Sequence, residues 1–237
     1  MLGMLIQNFL PEHHLKPESK DAVKLGAGLI ATMSALVLGI LVGSAKTSFD
    51  TINANVTQGG ARFIYLDRLL AEYGPETKDV RRELKKAVEN LVMLIWPEQN
   101  AYPEAKGGGP DQISYGIEGV SKMIRNLPQD TPDHTILRTQ ALQVDIELKQ
   151  YRWVVLEQSQ NTLSRPFLLV LLFWLTTLNM TYGLFAPRNA TVISVLLACA
   201  LSVSGALFLI VEMDRPLEGW LKVSSAPFHE AMQFIGK

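Results

Sequence analysis

Residues Leu25–Ala45 read LGAGLIATMSALVLGILVGSA, 21 residues without a charge between Lys24 and Lys46. As a helix rising ~1.5 Å per residue, such a run crosses a bilayer core of ~30 Å. Within it Ala27, Ala31, Ala35, Gly39 and Gly43 fall every fourth residue. Small residues let a neighbouring helix backbone come close in lipid, so this ridge is expected to be a packing face. Glycine and alanine are common in spans, but five in register are better explained by helix contact than by composition.

Two further uncharged runs follow: Pro166–Ala186 between Arg165 and Arg188, and Ala190–Val211 ahead of Glu212. Charged residues are 19% of the chain but lie outside the three runs, where their share is about a quarter, that of an ordinary soluble domain. The chain therefore has two regimes, one bare and membrane-seeking, the other normally charged and facing water. A net charge of −1 gives no reason to expect a nucleic-acid partner. The single cysteine, Cys199, sits in the third run as a small apolar filler and cannot form an intrachain disulfide.

Towards the N-terminus, Glu12–Lys24 is a polar approach with Pro11 and Pro17 as breakers. Met1–Leu10 is apolar but too short to span, and it lacks the basic start and cleavage site of a secretory signal. It reads either as an interfacial segment or as the tail of an earlier, fourth span. His13 and His14 are neighbours, ~100° apart on a helix, and no third ligand has metal-site spacing, so no metal is expected.

Downstream, Phe49, Ile52, Val56, Phe63, Leu66, Leu70 and Tyr73 continue at three- and four-residue steps, with Gly59 and Gly60 filling the gap. This is a heptad seam. It predicts one helix from Leu25 to Tyr73, ~73 Å long, stopped by Gly74–Pro75 and weakest at the two glycines, at ~1 kcal/mol each relative to Ala. A helix from Pro75 to Ile95 turns Val80, Leu84, Val88, Leu91 and Ile95 inward. Arg81, Arg82, Lys85 and Lys86 lie off that face, interleaved with Glu83 and Glu89, and read as a solvated surface. Trp96–Pro97 closes the helix. The loop Asn100–Pro110 has three consecutive glycines but no Gly-Lys-Ser/Thr continuation, so it is not a phosphate loop. Gln112–Asn126 is a short amphipathic helix. From Asp133 a second seam of Leu137, Ala141, Val144, Leu148, Tyr151 and Val155 points at the second span, with Pro166 expected to kink the rod rather than end it.

The fold class is thus an all-α integral membrane protein: three transmembrane helices, with a four-helix soluble bundle continuous with the first two spans. Its divisions are 1–24, an apolar segment and polar approach; 25–45, a span; 46–165, the bundle; 166–186 and 190–211, two spans; and 212–237, an interfacial tail. The second and third spans form a tight hairpin at Pro187, Arg188 and Asn189. Thr176, Asn179 and Gly183 share one face of the second span, and Ala190, Ser194, Ala198 and Ser202 recur along the third. Thr176, Asn179, Ser194 and Ser202 read as packing hydrogen bonds, which need no conduction, or as a pore lining. No span holds Asp, Glu, Lys, Arg or His, so a proton relay or ion-coupled pump is not expected. In the tail Trp220 fits an interfacial anchor, and Phe228, Met232 and Ile235 mark a short amphipathic helix, on the membrane or on the bundle.

Tyr73-Gly74-Pro75-Glu76, Trp96-Pro97, and Asp214-Arg215-Pro216 with Gly219 and the Val223-Ser224 stretch resemble the bacterial bestrophin-like domain membrane proteins, in the same order along nearly the whole chain. The resemblance implies a multi-pass protein of the bacterial inner (cytoplasmic) membrane. The family is named for a proposed similarity to bestrophin anion channels and carries no established activity. Its members commonly begin with one more span, to which only Met1–Leu10 corresponds here. The aromatic neck and calcium-binding acidic cluster of bestrophins have no counterpart in this sequence. The motif residues also have a plain structural reading as caps, breakers, an interfacial ion pair and an aromatic anchor.

Three functions compete: a homo-oligomeric ion channel or pore; a membrane-anchored scaffold or regulatory protein acting through its bundle; and an enzyme. The last finds no nucleophile–base set, metal spacing or nucleotide loop, and nothing calls for a cofactor. The carboxylates Asp67, beside Arg68, and Glu212 and Asp214 read as surface or interfacial pairs. The expected partners are the lipid bilayer and further copies of the chain. Lys46, Arg62, Lys149, Arg152, Arg165, Arg215 and Lys222 near the bundle-side ends of the spans, against Lys16, Lys20, Lys24 and Arg188 opposite, favour a cytoplasmic bundle.

Overall fold

The structure, a computed structural model, describes residues 17–96, 110–158, 165–187, 189–217 and 219–237. Met1–Leu10, the His13–His14 pair, Pro97, most of the glycine loop and Arg188 lie outside the described residues. Among the described residues every regular element is a helix. They are α1 (Pro17–Tyr73), a 3-10 turn (Pro75–Thr77), α2 (Lys78–Ile95), α3 (Pro110–Arg125), α4 (Pro132–Gln158), α5 (Arg165–Phe185), α6 (Ala190–Met213) and α7 (Ala226–Phe234). Three of them, α1, α5 and α6, are long and apolar enough to cross a membrane.

α1 is a single helix of 57 residues. It is helical from Pro17, the first described residue, and so takes in Pro17–Lys24, which the sequence reading set apart as a polar approach to the span. Pro166 is the second described residue of α5. Whether α4 runs on into α5 falls on residues 159–164, outside the described ones. At the other end α1 stops at Gly74, whose φ of 132° is closed to ordinary side chains. Thr77, buried, then donates its hydroxyl to the carbonyls of Leu70 and Gly74 and ties the turn back onto the helix.

The chain forms two compact units. The first, Met1–Ser48 with Asn161–Asp214, contains the candidate spans; its small core is Leu41, Ala45, Leu171 and Ile210, flanked by Val37, Leu38, Leu175 and Leu207. The hairpin closes at Asn189, whose Oδ1 accepts the Val192 N–H at 2.8 Å as an N-cap.

The second unit, Phe49–Gln160 with Arg215–Lys237, is the bundle. Its core joins Ile52, Val56, Phe63, Leu66 and Leu70 of α1 to the predicted inner face of α2, to Ala141, Val144 and Leu148 of α4 with Leu137 packed against them, to Ile117, Val120 and Ile124 of α3, and to Val223, Phe228, Ala231 and Ile235 of the C-terminal segment. Those last four residues make the tail part of the core. The glycine pair explains how it fits. A Cβ on Gly60 would stand 2.7 Å from the Pro227 carbonyl oxygen, and one on Gly59 would stand 3.3 Å from the Phe228 ring. The two glycines are the notch that receives the tail, and Phe228 then reaches Phe63 and Trp96 with ring centroids 5.8 and 5.7 Å away.

Candidate functional site

In the membrane unit the four polar candidates all face outward from the chain. Thr176 and Asn179 on α5 and Ser194 and Ser202 on α6 are exposed. Three of them satisfy part of their hydrogen bonding on their own helix. Thr176 donates to the Leu172 carbonyl at 2.7 Å, Asn179 Nδ2 to Leu175 at 2.9 Å and Ser202 to Ala198 at 2.9 Å. This local bonding lowers the cost of a hydroxyl or amide at membrane depth and leaves oxygen lone pairs and one amide hydrogen of Asn179 for an outside partner.

The ridge on α1 divides. Ala27 is buried and Ala31 half-buried, while Ala35, Gly39 and Gly43 are exposed, with open space where a Cβ of Gly39 or Gly43 would stand. Helix geometry requires the division: four residues advance ~400°, so a strict four-residue ridge rotates ~40° per step and ~160° over its length. The stripe packed within the chain follows a seven-residue step instead, Ala27, Ser34 and Leu41 with Leu38 and Ala45. Gly28 and Thr32 lie on the exposed face beside Ala35 and Gly39. On α6 the exposed small residues include Thr191, Ser194, Ala198, Ser202 and Gly205. A constant step of four passes over Gly28, Thr32, Thr191 and Gly205, which mixed steps of three and four take in.

In the bundle the motif residues form two groups. Tyr73, buried at the end of α1, donates its phenol to the Pro128 carbonyl and stacks on His134 at 4.3 Å. Burial pushes this phenol's pKa up, the Asp130 and Glu76 carboxylates add to the rise, and Arg138 opposes it. Gly74, Pro75 and Glu76 make the turn that follows; Glu76 is exposed, and its carboxylate lies over Gly74. The second group spans the sequence. Trp96, 2% exposed, donates Nε1–H to the Val223 carbonyl at 2.9 Å, and the Val223 N–H donates to the Pro216 carbonyl at 2.8 Å. Pro216 is buried, Arg215 is exposed, Asp214 caps α6 and Gly219 turns the chain at φ 83°.

The reading of Asp67 as a surface pair with Arg68 is corrected. Asp67 is 2% exposed and binds Arg81 through both carboxylate oxygens, at 2.7 and 2.8 Å, while Arg68 points outward. Successive helix positions diverge by ~100°, so Asp67 follows buried Leu66 and Leu70 rather than Arg68. Arg81 also leaves the solvated face assigned to it. The paired carboxylate, first by hydrogen bonding and then by charge, raises the guanidinium's pKa against the opposing effect of burial. The tail closes on this pair: the Gly236 N–H donates to Asp67 at 3.3 Å and Arg81 Nη2 donates to the Lys237 carbonyl at 3.2 Å.

A second polar cluster went unread in the sequence. Ser121, 1% exposed, donates to Asp145 Oδ2 at 2.7 Å, and Lys149 donates to both Asp145, at 2.9 Å, and Ser121. A serine nucleophile needs an amine placed to take its proton and a path to substrate. Here the amine donates and the serine is sealed, so the arrangement ties α3 to α4. The cavity under Phe228, lined by Val56, Gly59, Leu91 and Ile117 among others, has room for about one water molecule. Among the described residues no three His, Cys, Asp or Glu side chains are grouped as a metal site.

No curated protein and no solved structure matches the chain. A family model described as a bestrophin-like domain matches residues 1–228. That match takes in all three candidate spans, α2 to α4 and the Trp96–Val223–Pro216 hydrogen bonds, and ends within α7. The chain belongs to the bestrophin-like domain family.

Proposed function

We propose that this chain is one subunit of a homo-oligomeric pore in the bacterial inner membrane, with its helical bundle on the cytoplasmic side. The observation that carries this reading is the outward position of Thr176, Asn179, Ser194 and Ser202 on helices of membrane-crossing length. In lipid such faces seek a second helix or water, and an oligomer with an axial channel supplies both. The exposed part of the α1 ridge, Ala35, Gly39 and Gly43, supports close approach of a neighbouring subunit. The three runs contain no Asp, Glu, Lys, Arg or His. Selectivity in such a pore comes from diameter and hydration rather than from a charged ring, and discrimination between cations and anions is weak.

The test is purified protein in liposomes, with anion and cation flux followed separately. Wild type conducts, and Asn179→Leu together with Thr176→Val lowers flux at least tenfold while the oligomer keeps its size. A pore-free dimer that passes neither ion transfers the assignment to the scaffold reading.

A further inference from the structure

The bundle carries two kinds of outer surface. Among the side chains described on α2 and α3, the exposed ones are charged, Lys85, Lys86, Glu118 and Lys122 among them, with Asn90 the one exception. On α1 and α4 the balance reverses. From Asn53 to Tyr65 the exposed residues of α1 are Asn53, Ala54, Thr57, Gln58, Ala61 and Tyr65. From Ile136 to Gln150 those of α4 are Ile136, Thr139, Gln140, Gln143, Ile146 and Gln150. None of them is charged. Tyr65, Ile136 and Ile146 stand 52, 55 and 50% exposed.

The same two stretches do contain charges, at Arg62, Arg138, Asp145, Glu147 and Lys149. All five turn to neighbours within the chain. Arg62 pairs with Glu147 and donates to the Tyr151 hydroxyl at 3.4 Å. Asp145 and Lys149 meet at Ser121 on α3, and Arg138 donates to the Arg125 carbonyl at 2.6 Å. The two uncharged strips adjoin along the Arg62–Glu147 pair. On one side of it Gln58 accepts from the Tyr151 hydroxyl at 2.6 Å, and on the other Gln143 donates to Glu147 at 3.2 Å.

Solubility favours charge on an outer helix face, as α2 and α3 show, and gives no reason to remove it from α1 and α4 alone. Contact gives one, because an unpaired ion at the centre of an interface keeps its desolvation cost. The residues left there suit a particular occupant. Amides and hydroxyls carry both donors and acceptors, so a face of Gln, Asn and Thr can pair with another copy of itself, which a face of one charge sign cannot.

We propose that the uncharged face of α1 and α4 is a subunit contact within the bundle unit, occupied by a second copy of this chain, with Tyr65, Ile136 and Ile146 as its apolar part. The proposal rests on the homo-oligomer inferred above and adds a contact that the spans do not supply.

The test follows the oligomer size of the detergent-solubilised full chain by light scattering over a dilution series. Ile146→Lys and Ala61→Glu each place a charge on the face, and Asn90→Lys places one on α2. All three positions are exposed, so the variants keep their fold, checked by circular dichroism melts. If Ile146→Lys melts below wild type, Gln143→Lys repeats the measurement on α4. The α1 and α4 variants should raise at least tenfold the protein concentration at which half of the oligomer has dissociated, while Asn90→Lys matches wild type. If they dissociate no more readily than Asn90→Lys, the face is solvated or meets another protein, and the proposal falls while the oligomeric pore stands. A wild type that is monomeric at every concentration overturns both.

Discussion

Gly60 is without a side chain because the Pro227 backbone occupies the space a Cβ would need, 2.7 Å from the carbonyl oxygen. Helix propensity alone favours Ala over Gly by ~1 kcal/mol at such an interior position. The contact reverses that sign, since a backbone carbonyl cannot step aside as a flexible side chain can. Gly60→Ala should destabilise the bundle by about 1–3 kcal/mol, the usual cost of overpacking. Gly59→Ala meets only the tip of the Phe228 ring, which borders a small cavity into which it can give way. It should be neutral or slightly stabilising. Denaturant melts of both variants check the pair, and equal effects would mean that the tail does not close on the glycine notch. Tyr73 gives a second prediction at this scale. Its raised pKa means that the fold favours the neutral phenol. That contribution is complete below the unfolded value near 10 and is lost as pH climbs from there through the folded value. The melting temperature should therefore fall above about pH 10. Tyr73→Phe starts lower for want of the Pro128 bond, by about 1 kcal/mol, but falls less steeply. Parallel curves through the alkaline range would show that the phenol is not the group responsible.

At the scale of one element, α1 separates two kinds of apolar face. Leu38 would face lipid if the whole four-residue ridge packed within the chain. It instead flanks the core of Leu41, Ala45, Leu171 and Ile210, whereas Gly39 meets nothing. Leu38→Ala should therefore lower the melting temperature, by the cost of a partly buried large-to-small change, about 2 kcal/mol or somewhat less. Gly39→Leu leaves a single chain intact and should act only where another chain approaches. It should reduce the size of the detergent-solubilised oligomer while the melting temperature of the bundle is unchanged. If oligomer size and melting temperature both stay at wild-type values, the exposed ridge is not a subunit contact.

For the whole molecule, the C-terminal segment Arg215–Lys237 belongs to the same compact unit as Phe49–Gln160, and α5 and α6 lie between them in sequence. Two crossings return the chain to the side it left. Single cysteines at Gly108 and Gly236, in a Cys199→Ala background, should react with an impermeant thiol reagent from the same side. Labelling from opposite faces would remove one of the three spans. The architecture was legible in the chain because its signals are local. Charge-free runs, three- and four-residue steps and glycine–proline stops each depend on residues a few positions apart, and together they specify helices, spans and inner faces. The tail's place in the core was not legible. It depends on Gly60 meeting Pro227, Trp96 bonding Val223, and Asp67 choosing Arg81 over the adjacent Arg68. Each joins residues whose separation along the chain carries no period, and whether a glycine is a weak point or a notch depends on what stands opposite it. The same holds in the membrane unit. Composition shows that small and hydroxyl residues line the spans, but only folded helices, each turning ~100° per residue, decide which of them face the chain's own core and which face outward.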